Sequence, residues 1–301
     1  MPRNLTKPGR TEASTGWLSD HPIVGSTVIA VLTAVALQLT HMIDFQDRVD
    51  AMVSGDISVL FLDFGFRTVL GAVAVLGVLP WLFGYWRSRP WFGDYLRQLR
   101  FLAGPMPRLT LAASAASVVI MAALMVGLAA RFDVLRGDLD FVLDDSRWFI
   151  VVLALVPGLW EELAFHGLTL SNLQRRYHPW VAILISSLFF GLYHISNLLL
   201  QDLAQVTMGM ILAASVSVGW SYAVVKTGSV VPAIVSHYFL NVSIGLLLAP
   251  DLSQSAAAAI FGSLTIVYPI LTVIAVWWIS RRHHAARPVS ELQPHPVSGP
   301  V

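Results

Sequence analysis

The sequence predicts an all-α, polytopic integral membrane protein with about eight transmembrane helices. Three observations point to that fold class. Of the 301 residues, 56% are hydrophobic and only 12% charged, where a soluble domain carries about 25% charged residues; the mean hydropathy is +0.69. Crossing a hydrocarbon layer of ~30 Å takes about 20 apolar residues, and uncharged runs of that length recur along the chain. Basic residues collect in alternate connections between the runs, as they do where positive loops stay on the cytoplasmic side.

Taken in order, residues 1–21 are polar and read as a cytoplasmic N-terminal tail. The apolar run after them is too long for a signal-peptide core, so it is expected to remain as the first anchor. Spans are expected at 22–43, 64–86, 109–130, 148–173, 180–200, 205–225, 230–249 and 256–280, so that 22–280 forms one transmembrane helical domain without internal repeats. Residues 281–301 read as a disordered cytoplasmic tail. With the N-terminus inside, 14 of the 19 Lys and Arg fall on one side, four on the other, and Arg67 within the second span. A miscounted helix would scramble that bias, so a multi-pass cell-membrane protein with both termini cytoplasmic is expected. Seventeen of the basic residues are Arg, which with the Ala-rich runs suggests a bacterial source of high GC content. The basic 87–108 connection, with Trp91, Phe92 and Tyr95, reads as an interfacial element.

Composition also removes whole classes of function. There is no cysteine, hence no disulfide framework, thiolate metal site or cysteine nucleophile. A net charge of +1 gives no basic face for nucleic acid. The informative residues are the ionisable ones inside spans, each costing at least ~2.5–3.5 kcal/mol at a helix centre. The 148–173 span carries Glu161, Glu162 and His166; 180–200 carries His194; 230–249 carries His237 and Asn241; 64–86 carries Arg67, with Asp63 just before it.

Glu161 and Glu162 are adjacent, ~100° apart on a helix, so one is expected to face a central cavity and the other a supporting partner. His237 and Asn241, at i and i+4, share a face. Convergence of three helices would gather Glu, His, His and Asn in one polar pocket. A carboxylate there can act as general base on water, with a neighbouring histidine orienting the water or moving the proton. His and Asn can donate hydrogen bonds to an oxyanion. The sum is water-mediated peptide hydrolysis on a membrane-bound peptide or protein. Alternatively, Glu161, His194 and His237 could ligate zinc, so the cofactor is either none or a divalent metal. Plainer readings stand beside these: a helix broken near Pro157-Gly158 that leaves the carboxylates in a watery vestibule, Ser186, Ser187 and Ser236 as packing residues, and Asp63 with Arg67 as an intrahelical pair.

The segments Glu161-Glu162-Leu163-Ala164-Phe165-His166, Phe190-Gly191-Leu192-Tyr193-His194 and His237-Tyr238-Phe239-Leu240-Asn241 resemble the EExxxR, FxxxH and HxxxN motifs of the CPBP intramembrane proteases. These are the CAAX-processing and bacteriocin-processing enzymes, also called the Abi family, related to the type II CAAX prenyl endopeptidase. The resemblance covers about residues 148–249. It implies an intramembrane endopeptidase in which Glu161 activates water with His194, His237 and Asn241 stabilise the oxyanion, and Glu162 supports the site. One position departs: the motif's arginine is His166 here. Two other functions are carried alongside: a proton-coupled transporter using Glu161 and the histidines as a relay, and a catalytically inactive scaffold or immunity protein, for which His166 speaks.

Overall fold

The computed structural model describes residues 16–38, 57–87, 91–101, 106–132, 151–152, 154–199, 201–247 and 253–285. The greater part of both expected tails, the acidic 39–56 and 133–150 connections and the start of the fourth expected span lie outside the described residues. Within them the regular structure is helical throughout. We number the helices α1 (Pro22–Gln38), α2 (Ile57–Ala72, continued by a π turn Val73–Val78 and by Leu79–Leu82), α3 (Trp91–Gln98) and α4 (Pro107–Arg131). The second half holds α5 (Leu155–Glu162, then a π turn Leu163–Thr169 and Leu170–Leu173), α6 (Pro179–Tyr193, running into 3-10 turns over His194–Leu199), α7 (Leu203–Thr227), α8 (Val231–Leu247) and α9 (Gln254–Gly262, a π turn Ser263–Val267, then Tyr268–Ala285).

Local chemistry explains the boundaries. α4 and α6 start with Pro107 and Pro179 at the first helical position, where no backbone donor is needed. α7 opens on a reciprocal capping box between Asp202 and Gln205 and closes on Gly228 at φ 70°, a left-handed turn that favours glycine. α9 runs through Arg281 and Arg282 to Ala285, past the boundary expected at 280. Each arginine lies over an indole one turn earlier, Arg281 on Trp277 at 4.2 Å and Arg282 on Trp278 at 3.7 Å, and these cation–π contacts favour continuing the helix.

Among the described residues five helices are long and apolar enough to cross a membrane: Phe64–Leu82, Pro107–Arg131, Pro179–Leu199, Leu203–Thr227 and Gln254–His283. The other three expected spans coincide with the shorter apolar helices Pro22–Ala36 and Val231–Ile244 and with α5, which carries the glutamate pair. Side-chain placement inverts that of a soluble protein. Val31, Leu111, Val119, Leu184, Leu188 and Ile274 point outward, whereas Ser26, Thr110, Ser117, Ser186 and Thr272 are buried. With lipid outside, polar groups must find partners among neighbouring helices. Thus Tyr268 Oη of α9 lies 2.6 Å from Ser117 Oγ of α4 and accepts from Trp220 Nε1 of α7 at 2.7 Å, while Ser236 of α8 donates to Ser117 at 2.7 Å.

α3 lies at the end of this bundle as an amphipathic helix. Tyr95 is buried with its hydroxyl on Val75 O at 2.5 Å, and the exposed Arg97 pairs with Asp94. The chain then turns at Arg100, a non-glycine residue with φ 54°. Its guanidinium reaches Gln174 and, at 3.5 Å, Val224 O, while its carbonyl accepts Val230 N–H at 3.0 Å. Burial lowers the Arg100 pKa to about 10. The side chain therefore ties α3 to α7 and the turn after α5, and the carbonyl ties it to the start of α8, at the cost of a strained backbone. Both Arg100→Ala and Arg100→Gly lose the side-chain ties, but only Ala keeps the strain. The Gly variant is expected to melt later than the Ala variant, by about 1 kcal/mol of stability, in thermal unfolding in detergent.

Candidate active site

Close backbone contacts set the positions of the motif helices. A Cβ on Gly158 would come within 3.3 Å of Tyr238 N and 3.6 Å of Ile234 O, so α5 and α8 touch backbone to backbone there. One turn on, that contact brings Glu162 to His237. The helix starts at Leu155 after a turn at Ala154, so Pro157 falls in its first turn, where its missing N–H is not needed. On the other flank a Cβ on Gly191 would lie 2.7 Å from Met210 O, which brings α6 equally close to α7.

Within this frame Glu161 (6% exposed), Glu162 (0%), His166 (0%) and His237 (6%) are buried together. The adjacent carboxylates diverge as helical geometry requires. Glu161 Oε1 accepts the Tyr193 hydroxyl at 3.2 Å, and its Oε2 is buried without a hydrogen-bond partner. Glu162 is held from two sides: His237 Nδ1 lies 2.7 Å from Oε1 and His166 Nδ1 2.5 Å from Oε2. His166 falls in the π turn that follows the glutamates; such widened turns recur at functional sites.

Phe190 of α6 organises the rest. Its ring centroid lies 5.4 Å from that of His166, 5.2 Å from His194 and 5.8 Å from His237, so three histidines from three helices surround one phenyl ring. His194 ends α6, its Nδ1 2.8 Å from Phe190 O, which leaves Nε2 for other partners. Trp220 stacks on His237 at 5.2 Å and 21°, held by the Tyr268 hydrogen bond described above. Asn241 is half-buried on α8, one turn after His237.

Three contributors were not singled out in the sequence, and a fourth, Arg67, was assigned elsewhere. Tyr193 sits inside the FxxxH segment and could have been suspected there. Ser217 and Trp220 lie on α7, a span without an ionisable site residue to draw notice. Arg67, expected to serve only an intrahelical pair, interacts electrostatically with Glu161 and Tyr193. It lies one turn before Gly71, where a Cβ would meet the Trp160 indole at 2.4 Å. The side chain of Asp63, its expected partner, lies outside the described residues.

Among the described residues no three His, Asp or Glu side chains converge closely enough to hold a metal ion. Glu161, His194 and His237 are not gathered as a three-ligand set in this geometry. The arrangement offers a carboxylate oxygen without a hydrogen-bond partner, a histidine with one ring nitrogen left for other partners, and a His–Asn edge one helical turn long. Comparison with known families matches residues 144–243, spanning all three motifs, to the type II CAAX prenyl endopeptidase Rce1-like model. No curated protein matches the chain.

Proposed function

We propose that this chain, whose residues 144–243 match the type II CAAX prenyl endopeptidase Rce1-like family model, hydrolyses a peptide bond of a membrane-associated or CAAX-like substrate with water activated by Glu161. The observation that carries the reading is the buried, unpartnered Oε2 of Glu161 beside a second carboxylate that lies 2.7 Å from His237 Nδ1 and 2.5 Å from His166 Nδ1. One carboxylate is free to take a proton while its neighbour organises the site.

In this mechanism Glu161 removes a proton from water oriented by His194 Nε2, and the hydroxide adds to the scissile carbonyl. His237, fixed by Glu162 and stacked on Trp220, and Asn241 donate to the resulting oxyanion. Collapse of the tetrahedral intermediate breaks the C–N bond, and Glu161 returns its proton to the leaving amine. Tyr193 holds the other Glu161 oxygen in place throughout.

The test is cleavage of a prenylated, fluorescent CAAX-type peptide by the full chain in liposomes. Asn241→Ala is expected to lower kcat by about 10²–10³-fold with KM little changed, the usual cost of one oxyanion donor. Equal kcat in wild type and variant would reject the assigned oxyanion edge, and a wild type inert toward prenylated and unprenylated membrane peptides alike would reject the protease reading.

A further inference from the structure

We infer that Tyr268 is a positioning residue for His237, acting through Trp220: its hydroxyl fixes the indole whose stacking sets the plane of the His237 ring. The hydrogen bond of His237 joins Nδ1 to Glu162 Oε1 at 2.7 Å. A ring anchored at one atom can still rock about that contact, so its tilt is decided by what lies against its faces and edges. Trp220 is stacked on it, with centroids 5.2 Å apart and planes at 21°, and Phe190 meets it edge-on at 5.8 Å.

The indole is in turn held at its one polar atom. Trp220 Nε1 donates to Tyr268 Oη at 2.7 Å. An indole nitrogen can only donate, so the phenol oxygen accepts there and keeps its own hydrogen for Ser117 Oγ, 2.6 Å away. Ser117 of α4 therefore locates the hydroxyl, and Ser117 is itself joined at 2.7 Å by Ser236 of α8, the residue just before His237. The contacts close a loop through four helices, from the His237 ring to Trp220, Tyr268, Ser117 and Ser236 and back along the backbone to His237. Gly219 lets α7 and α9 meet where the indole reaches the phenol: a Cβ there would lie 3.2 Å from Thr272 Cβ and 3.4 Å from Pro269 Cα.

α7 braces the other histidine beside Glu162 in a similar way. Ser217, three residues before Trp220 and so on the same face, lies 2.8 Å from His166 Nε2 and donates to Ser187 of α6 at 3.1 Å. Tyr268 is the anchor on the His237 side. It touches neither water nor substrate in the proposed reaction. Resting on the protease reading, its effect falls on turnover, because a group that stabilises an oxyanion must be held within about 0.5 Å and 10–20° of the productive geometry.

Two measurements on the full chain separate this inference from that reading. With the peptide substrate in liposomes, Tyr268→Phe keeps the ring and removes the hydroxyl; kcat is expected to fall about 10–10²-fold, the scale of a misplacement of about 1 Å, with KM little changed. Because Tyr268 acts through Trp220, the double variant with Trp220→Phe is expected to be no slower than Trp220→Phe alone. An unchanged kcat in Tyr268→Phe, or losses that multiply in the double variant, overturns the positioning role even if cleavage itself is established. In protein labelled with ¹³C-histidine, the His237 ring signals are displaced by the stacked indole and are identified by their loss in His237→Gln. Tyr268→Phe is expected to move them toward the positions of an unstacked ring, and Ser117→Ala, which keeps the whole phenol, to move them less in the same direction. Signals that stay in place in both variants overturn the inference, whether or not the protein is a protease. Signals that move while the wild type cleaves no peptide support the link from Tyr268 to His237 and reject the protease reading alone. Should Tyr268→Phe not fold, Ser117→Ala carries both measurements.

Discussion

Glu161→Gln is expected to lower the rate of peptide cleavage by about 10²–10⁴-fold, the range attributed to a general base, without lowering the temperature at which the protein unfolds. Gln is nearly isosteric and its carbonyl can still accept the Tyr193 hydroxyl. What it loses is a carboxylate oxygen that is buried and has no hydrogen-bond partner. A neutral amide is less costly to bury than an unpaired carboxylate, so thermal stability should hold or rise slightly. Parallel measurement of kcat and the melting transition in detergent checks both halves. A stable Glu161→Gln that retains full activity removes Glu161 from the proposed role.

Glu162→Gln, one residue away, should behave in the opposite manner. Both oxygens of Glu162 face histidine nitrogens, at 2.7 and 2.5 Å. An amide would turn its NH₂ toward one of those ring nitrogens and lose one of the two contacts. Leaving a buried polar group without its partner costs about 1–3 kcal/mol, so this variant should melt below Glu161→Gln and lose activity as His237 loses its orientation. Two adjacent, chemically equal substitutions with opposite stability signatures would show that the two carboxylates divide support from chemistry. Equal melting of the two variants would show that they do not.

Much of this arrangement of side chains was legible in the sequence. Adjacent residues on a helix diverge by ~100°, which alone required different partners for Glu161 and Glu162, and the cost of ionisable groups in lipid marked the three helices that meet at Phe190. The partners themselves were less accessible. Ser187 read as packing because serine commonly packs membrane helices, and Ser217 attracted no notice; their role depends on α6 and α7 approaching at Gly191, a tertiary contact with no local signature. Arg67 was assigned to its own helix because Asp63 stands four residues before it, and only the packing of Gly71 on Trp160 turns that face toward α5. The end of α9 was set at 280 from the loss of apolar character, whereas the indoles at 277 and 278 carry the helix beyond the first two arginines.

The wide turn at Leu163–Thr169 makes the number of residues there matter as much as their kinds. The turn has already absorbed one extra residue, so adding a second would rotate the glutamate pair by about 100° against Leu170–Leu173, carrying Glu162 out of reach of either His237 or His166. Variants of this protein should therefore accept many exchanges of apolar side chains in that stretch, and no single-residue insertion.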